Sequence, residues 1–147
     1  MLDITIKTYN QLSLDDLYYI LQLRSEVFVV EQDCVYQDVD GKDQKALHVI
    51  GKINNIIIAY TRIFKPGDYF KEASIGRVVV SKKERHQKYG EFLMKASIQA
   101  TEDNFGTKEI KLSAQKYLEN FYNNLGFTTI GEPYLEDGIP HIAMVKN

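Results

Sequence analysis

Residues 75–94, IGRVVVSKKERHQKYGEFLM, decide how this chain is read. Ile75 to Val80 form a short apolar run interrupted by Gly76, the mark of a buried strand. The basic stretch SKKERHQK, residues 81–88, follows as a loop. Tyr89, Phe92, Leu93, Ala96 and Ala100 then recur at helical spacing, and Gly106 offers a natural stop. A strand, a basic loop and a helix start therefore stand in immediate succession. The first turn of a helix leaves backbone N–H groups without partners at the positive end of its dipole, an arrangement that suits a phosphate. Gly90 lets the backbone approach such a ligand, and Lys82, Lys83, Arg85 and Lys88 add positive charge. A solvated basic loop with no ligand has the same composition, and these residues alone leave both readings open.

Downstream, Lys108 to Leu112 alternate as a strand, and Leu118, Phe121, Tyr122 and Leu125 mark an amphipathic helix stopped by Gly126. Phe127–Ile130 and His141–Val145 read as two closing strands, with GEPYLEDGIP as a polar loop between them. Upstream, Leu2, Ile4 and Ile6 alternate in a first strand. Ser13 caps a helix that runs to about Arg24, with Asp16 three residues on as in a capping box. SEVFVVEQDCVYQDVDGKDQK, residues 25–45, reads as a second short helix and a long acidic loop. Leu47–Ile53 and Ile56–Phe64 form strands joined by Asn54-Asn55, a hairpin turn. The order β-α-α-β-β-β-α-β-α-β-β predicts one α/β domain of the α+β type over residues 1–147, a mixed sheet covered by helices.

Composition narrows the classes. The chain has 147 residues, 44% hydrophobic and 26% charged, which suits an ordinary globular core. Eighteen basic against 20 acidic residues give a net charge of -2, so the basic footprint of a nucleic-acid binder is missing. The longest apolar run, Ile56 to Tyr60, is far too short for a bilayer, and no secretory signal opens the chain. With Cys34 as its one cysteine, the chain forms no internal disulfide and is expected in the cytoplasm. Three scattered histidines and one cysteine show no metal-binding spacing. Asp38, Asp40 and Asp43 miss the spacing of an EF-hand and read as a solvated acidic loop.

Arg85-His86-Gln87-Lys88-Tyr89-Gly90 resembles the acetyl-coenzyme A signature of the GNAT superfamily of N-acetyltransferases: Arg or Gln, two residues, Gly, one residue, then Gly or Ala. Lys88 replaces the first glycine. Such a side chain keeps the backbone donor but requires a conformation that is not restricted to glycine. Tyr122-Asn123-Asn124-Leu125-Gly126-Phe127 resembles the Tyr-x-x-x-Gly-Phe that closes the last helix in the same superfamily. Further strings are similar to its ElaA-like branch: RSEVFVVEQDCVY at 24–36, DVDGKD at 38–43, Leu47-His48, IGRVVV, LSAQ at 112–115 and EDGIPH at 136–141. The resemblance spans nearly the whole chain and implies the GNAT acyl-CoA N-acyltransferase fold, with a mixed, mostly antiparallel sheet flanked by helices.

It also implies acetyl-CoA as cofactor and direct attack of an amine on its thioester. Val78, Val79 and Val80 would pair with the pantetheine arm through their backbone. His86 to Glu91 would hold the pyrophosphate, with Arg85 opening the motif and Gln115 at the end of the LSAQ strand beside the cofactor. A backbone N–H near Val79 or Val80 would receive the developing oxyanion. Spacing alone favours Tyr122 as a packing residue on Leu118 and Leu125, but through the Tyr-x-x-x-Gly-Phe resemblance it matches the proton donor to the leaving thiolate. For the base, His141 and His48 are candidates because imidazole titrates nearest neutral pH, and Glu31 is a third. Arg24, Phe28, Gln32, Tyr36, Arg62 and Arg77 are expected to line the acceptor pocket together with Glu31. The arginines would order the nearby carboxylates or hold a carboxylate of the acceptor. The acceptor is a small-molecule amine, an amino acid or a peptide, and a homodimer stays open. The alternative is a non-catalytic acyl-CoA sensor or interaction module of the same fold, suggested by Lys88.

Overall fold

A computed structural model describes all 147 residues. Its strands are β1 (Asp3–Thr8), β2 (Leu47–Ile53), β3 (Ile56–Phe64), β4 (Ala73–Val80), β5 (Ile110–Gln115), β6 (Thr128–Glu136) and β7 (Ile139–Lys146). The helices are α1 (Leu14–Arg24), α2 (Tyr89–Phe105) and the short α3 (Glu119–Asn123). The strands make one sheet in the order β1-β2-β3-β4-β5-β7-β6. Every neighbouring pair is antiparallel except β4 and β5. The chain therefore has the mixed, mostly antiparallel sheet expected from its motifs.

Local chemistry places these elements. The Ser13 hydroxyl accepts from the Asp16 N–H at 3.0 Å while the Asp16 carboxylate accepts from the Ser13 N–H at 3.2 Å, closing the capping box of α1. Asn54 and Asn55 both adopt positive φ, 51° and 64°, as a two-residue hairpin between β2 and β3 requires. Gly106, at φ 67°, ends α2.

The sheet buries both faces. Val49, Ala59, Ile63, Ile75, Leu112 and Met144 pack with Leu93, Met94 and Ala100 of α2. On the opposite face, Ile50, Tyr60 and Val79 pack with Ile20 and Leu23 of α1 and with Val27 and Phe28. Each such aliphatic side chain contributes about 1.5–3 kcal/mol on leaving water. The Thr61 and Ser97 hydroxyls, 2.7 Å apart, tie α2 to β3.

Three segments differ from expectation. The second short helix is a seven-residue π-helical run, Ser25–Glu31, continuous with α1. GEPYLEDGIP is not a polar loop. β6 continues to Glu136 and turns back at Asp137 (φ 51°) and Gly138 (φ 78°) into β7. The interruption in β4 lies not at Gly76 but at Arg77, which takes φ 50°; there the β3–β4 register slips, with Arg62 opposite Gly76 and Tyr60 opposite Val79. That bulge turns Arg77 out of the pleat.

Candidate active site

β4 and β5 pair only at their starts, Ala73 with Ile110 and Ser74 with Lys111. Each continues along its other neighbour, β4 to Val80 opposite Ala59 and β5 to Gln115 opposite His141. The sheet thus opens into a wedge, and from Ile75 onward no strand occupies the β5 side of β4. Backbone polar groups there need a partner that the sheet does not supply. The wedge is a cleft of about 740 Å³.

The basic loop closes one end of this cleft. His86 and Lys88 both take left-handed backbone, φ 71° and 62°, and Lys88 leads directly into α2. Lys88 was expected to need a conformation that is not restricted to glycine, and its backbone lies in the αL region, which a non-glycine residue reaches at a cost of about 1–2 kcal/mol. No side chain caps α2 at this end, so its first-turn N–H groups face outward unclaimed. A Cβ placed on Gly90 would project into the throat, 3.6 Å from the Phe121 ring and 3.9 Å from Val80. The bare backbone, free donors and left-handed loop fit a pyrophosphate, and the gap along Val78, Val79 and Val80 fits an extended pantetheine arm. Arg85, His86, Lys88, Tyr89, Gly90 and Glu91 line the cleft, whereas Gln87 does not. Arg85 donates to the Val80 carbonyl at 3.1 Å and grips Glu31 through two bonds of 2.5 and 2.9 Å. The Arg85 guanidinium holds the Glu31 carboxyl below its ordinary range, so Glu31 is an ion-pair partner rather than a free base.

Tyr122 stands on α3 in the wall of the wedge, buried and edge-on to Phe121 and Phe127. Burial pushes its hydroxyl well above the ordinary phenol range, and it therefore stays protonated at neutral pH. His141, at the start of β7, also lines the cleft. Its Nδ1 lies 2.7 Å from the Ile139 carbonyl, which only accepts, so Nδ1 carries a proton and Nε2 is the ring nitrogen turned to the other side. Nε2 lies 3.4 Å from Glu136, and the ring stacks on Tyr134. Ser113 bonds to the Tyr134 hydroxyl and donates to Glu136 at 3.2 Å. Gln32 and Gln115 join their amides across the cleft at 3.3–3.4 Å. Glu136, Ser113 and Tyr134 escaped the sequence reading; the Asp137-Gly138 turn signal next to Glu136 was the clue that could have found them.

His48 does not reach the cleft. It is fully buried, with Nε2 donating to the Asp43 carbonyl at 2.9 Å and Nδ1 accepting from Tyr60 at 2.5 Å. Burial lowers its basicity, against the bond to Asp43. Both nitrogens are engaged in a neutral ring, a structural role.

The acidic loop is not solvated either. Arg24, fully buried and outside the cleft wall, donates to Asp38 and Asp43 at 2.8 Å each. Arg62 forks onto Asp40 at 2.9 and 2.6 Å and also reaches Asp43 at 3.0 Å. Arg77 sets Nε 2.7 Å from Asp38 and donates from Nη2 to the Asp38 carbonyl at 2.9 Å. Tyr36 donates to Asp38 at 3.0 Å. Burial raises the Asp43 carboxyl, but bonds and charge from Arg24 and Arg62 outweigh it and hold the group ionised. Arg24 is thus a buried tie rather than an acceptor-pocket residue. Arg62, Arg77, Tyr36, Phe28 and Gln32 do line the cleft, though the guanidiniums of Arg62 and Arg77 are turned to the loop.

The wedge, the left-handed loop and the uncapped helix define an acyltransferase of the GNAT class. The model of the acetyltransferase (GNAT) domain matches residues 7–147, and the chain belongs to that family. Within it the chain falls in the ElaA-like branch. It is 44% identical to protein ElaA of Escherichia coli strain K12 over 140 residues, 94% of this chain and 92% of that one. The crystal structure of E. coli ElaA matches with a TM-score of 0.94 and 41% identity over the full length of both chains. An acyl-CoA N-acyltransferase from Pseudomonas aeruginosa matches with a TM-score of 0.95 and 42% identity, again over both full lengths. A GNAT acetyltransferase from Elizabethkingia anophelis, solved with acetyl-CoA bound, shares the fold at a TM-score of 0.65 and 18% identity, covering 99% of this chain and 97% of that one. No helix is long and apolar enough to cross a membrane.

Proposed function

We propose that this chain is an acetyl-CoA-dependent N-acetyltransferase that acetylates a primary amine by direct attack. The observation that carries this reading is the break in pairing between β4 and β5 immediately beside the uncapped start of α2. Acetyl-CoA, which the E. anophelis relative binds, would supply an activated acetyl group. In this chain the N–H groups from His86 to Glu91 hold its phosphates, and the backbone of Val78 to Val80 pairs with its extended arm. An N–H at Val79 or Val80 receives the oxyanion, a donor worth about 3 kcal/mol in the barrier. Lys88 keeps its N–H in the left-handed turn, which supports cofactor binding for an enzyme and for a non-catalytic acyl-CoA sensor alike.

An amine is mostly protonated at neutral pH and must shed its proton to attack. Nε2 of His141 takes that proton, and the new imidazolium pairs with Glu136. As the nitrogen–carbon bond forms and the carbon–sulfur bond breaks, the Tyr122 hydroxyl gives its proton to the departing sulfur. The acylated nitrogen sheds its second proton to water, His141 returns the first there and the Tyr122 oxygen is reprotonated from it, so one proton is released for each amide formed. The acceptor, a small-molecule amine, amino acid or peptide, enters from the side of Phe28, Gln32, Tyr36 and Arg77.

Thiol release measured over a panel of amines tests the roles. Tyr122→Phe should lower kcat by about 100-fold or more while the unfolding temperature holds, since its hydroxyl makes no bond within the chain. Unchanged turnover would remove Tyr122 as the acid and leave the cofactor site standing.

A further inference from the structure

Charged groups in the cleft wall and directly behind it sort by whether a partner neutralises them. On the acceptor side, Arg24, Arg62 and Arg77 meet Asp38, Asp40 and Asp43, three positive charges against three negative. No guanidinium there is free of a protein carboxylate. Glu136 and Asp137, at the tip of the β6–β7 hairpin, line the same cleft and pair with no Lys or Arg. The Glu136 carboxylate has two polar partners, the Ser113 hydroxyl and Nε2 of His141. The Cys34 thiol donates to the Asp137 carbonyl at 3.3 Å and fixes this tip to the segment after the π-helical run. At the cofactor end the residual charge has the opposite sign: Lys88 lines the cleft without a carboxylate partner.

We infer that the acceptor is a cationic amine with no carboxylate beside its reactive nitrogen, and that Glu136 selects it. The inference rests on the N-acetyltransferase reading and narrows it. An ammonium entering the cleft meets an uncompensated carboxylate set against the imidazole that is to take its proton. An α-amino acid brings a carboxylate to the same place, where it faces Glu136 and finds every arginine engaged. Like charges so placed disfavour the wrong acceptor as much as the opposite pair favours the right one. Tyr36, Tyr69 and Phe70 on the cleft wall suit an arylalkyl amine as probe.

Three probes share one ring and one nitrogen: tyramine, tyrosine methyl ester and tyrosine. With saturating acetyl-CoA, kcat/KM by thiol release should be at least about 10-fold higher for tyramine and the ester than for tyrosine. Glu136 is half exposed, so Glu136→Gln should fold normally. It should raise KM for tyramine several-fold, shrink the tyramine-to-tyrosine ratio and leave the acetyl-CoA-induced thermal shift unchanged. Equal or better use of tyrosine by the wild type, or an unaltered ratio in Glu136→Gln, overturns the inference. So does failure to acetylate any of the three while acetyl-CoA still stabilises the protein. Absence of that stabilisation overturns instead the reading on which it rests.

Discussion

The loops at 38–43 and 82–91 are both dense in charge, yet the fold treats them oppositely. In the first, Asp38, Asp40 and Asp43 are drawn in against Arg24, Arg62 and Arg77 until each carboxylate has a guanidinium. In the second, the backbone is exposed, the helix start is uncapped, and Lys82, Lys83 and Lys88 have no carboxylate within ion-pair range. Charge density alone separates neither. What separates them is whether the chain supplies the counter-charge. A loop that does so is structural, and a loop that does not is left to bind something else.

The largest effect expected from this contrast is on stability. Asp43→Ala leaves Arg24 and Arg62 buried with one carboxylate fewer, which should cost about 3–5 kcal/mol and lower the unfolding temperature by roughly 10 °C or more. Arg85→Ala, whose Glu31 pair is partly open to water, should cost about 1 kcal/mol or less. Similar losses in the two variants would break the comparison.

An intermediate effect is expected from pH. His48 is buried with lowered basicity, so its contribution to stability is complete above its unfolded value of 6.5 and falls as acid protonates the unfolded chain. For Asp16, burial raises the carboxyl, but Lys7 and the Ser13 N–H outweigh it and bring it from 3.8 to about 2; that contribution is present above 3.8 and is lost as pH falls toward 2. Asp43 has the same sign. Urea unfolding should therefore show stability declining from near pH 6.5 downward, and His48→Gln should flatten the first part of that decline. The smallest effect should come from Lys88→Gly. Relief of left-handed strain and the added chain entropy of glycine nearly cancel, so stability should change by less than about 1 kcal/mol.

The hairpin of Leu47–Ile53 and Ile56–Phe64 was legible to the residue, because Asn-Asn between two apolar runs permits little else. The continuation of β6 to Glu136 was not. β6 is an outer strand exposed along its whole length, so it shows no buried alternation. Pro133 lies within it, and at a sheet edge its missing N–H costs little. In the cleft, the basic loop before α2 is a local motif and could be read from the chain. The fate of the arginines could not, since Arg24 meets carboxylates 14 and 19 residues away and Arg77 reaches back 39 residues to Asp38. Those pairs exist only once the π-helical run and the β4 bulge have aimed the side chains. Glu136 is hidden for the same reason, its meaning coming from His141 across a turn.

The most direct test of the cofactor site is thermal unfolding with and without acetyl-CoA, against ATP as control. Ligand at about 100 times its dissociation constant adds roughly 2.7 kcal/mol, a rise of several degrees for a domain of this size. The account predicts that rise with acetyl-CoA and little with ATP. No rise with millimolar acetyl-CoA would contradict it and leave the wedge between β4 and β5 without its proposed ligand.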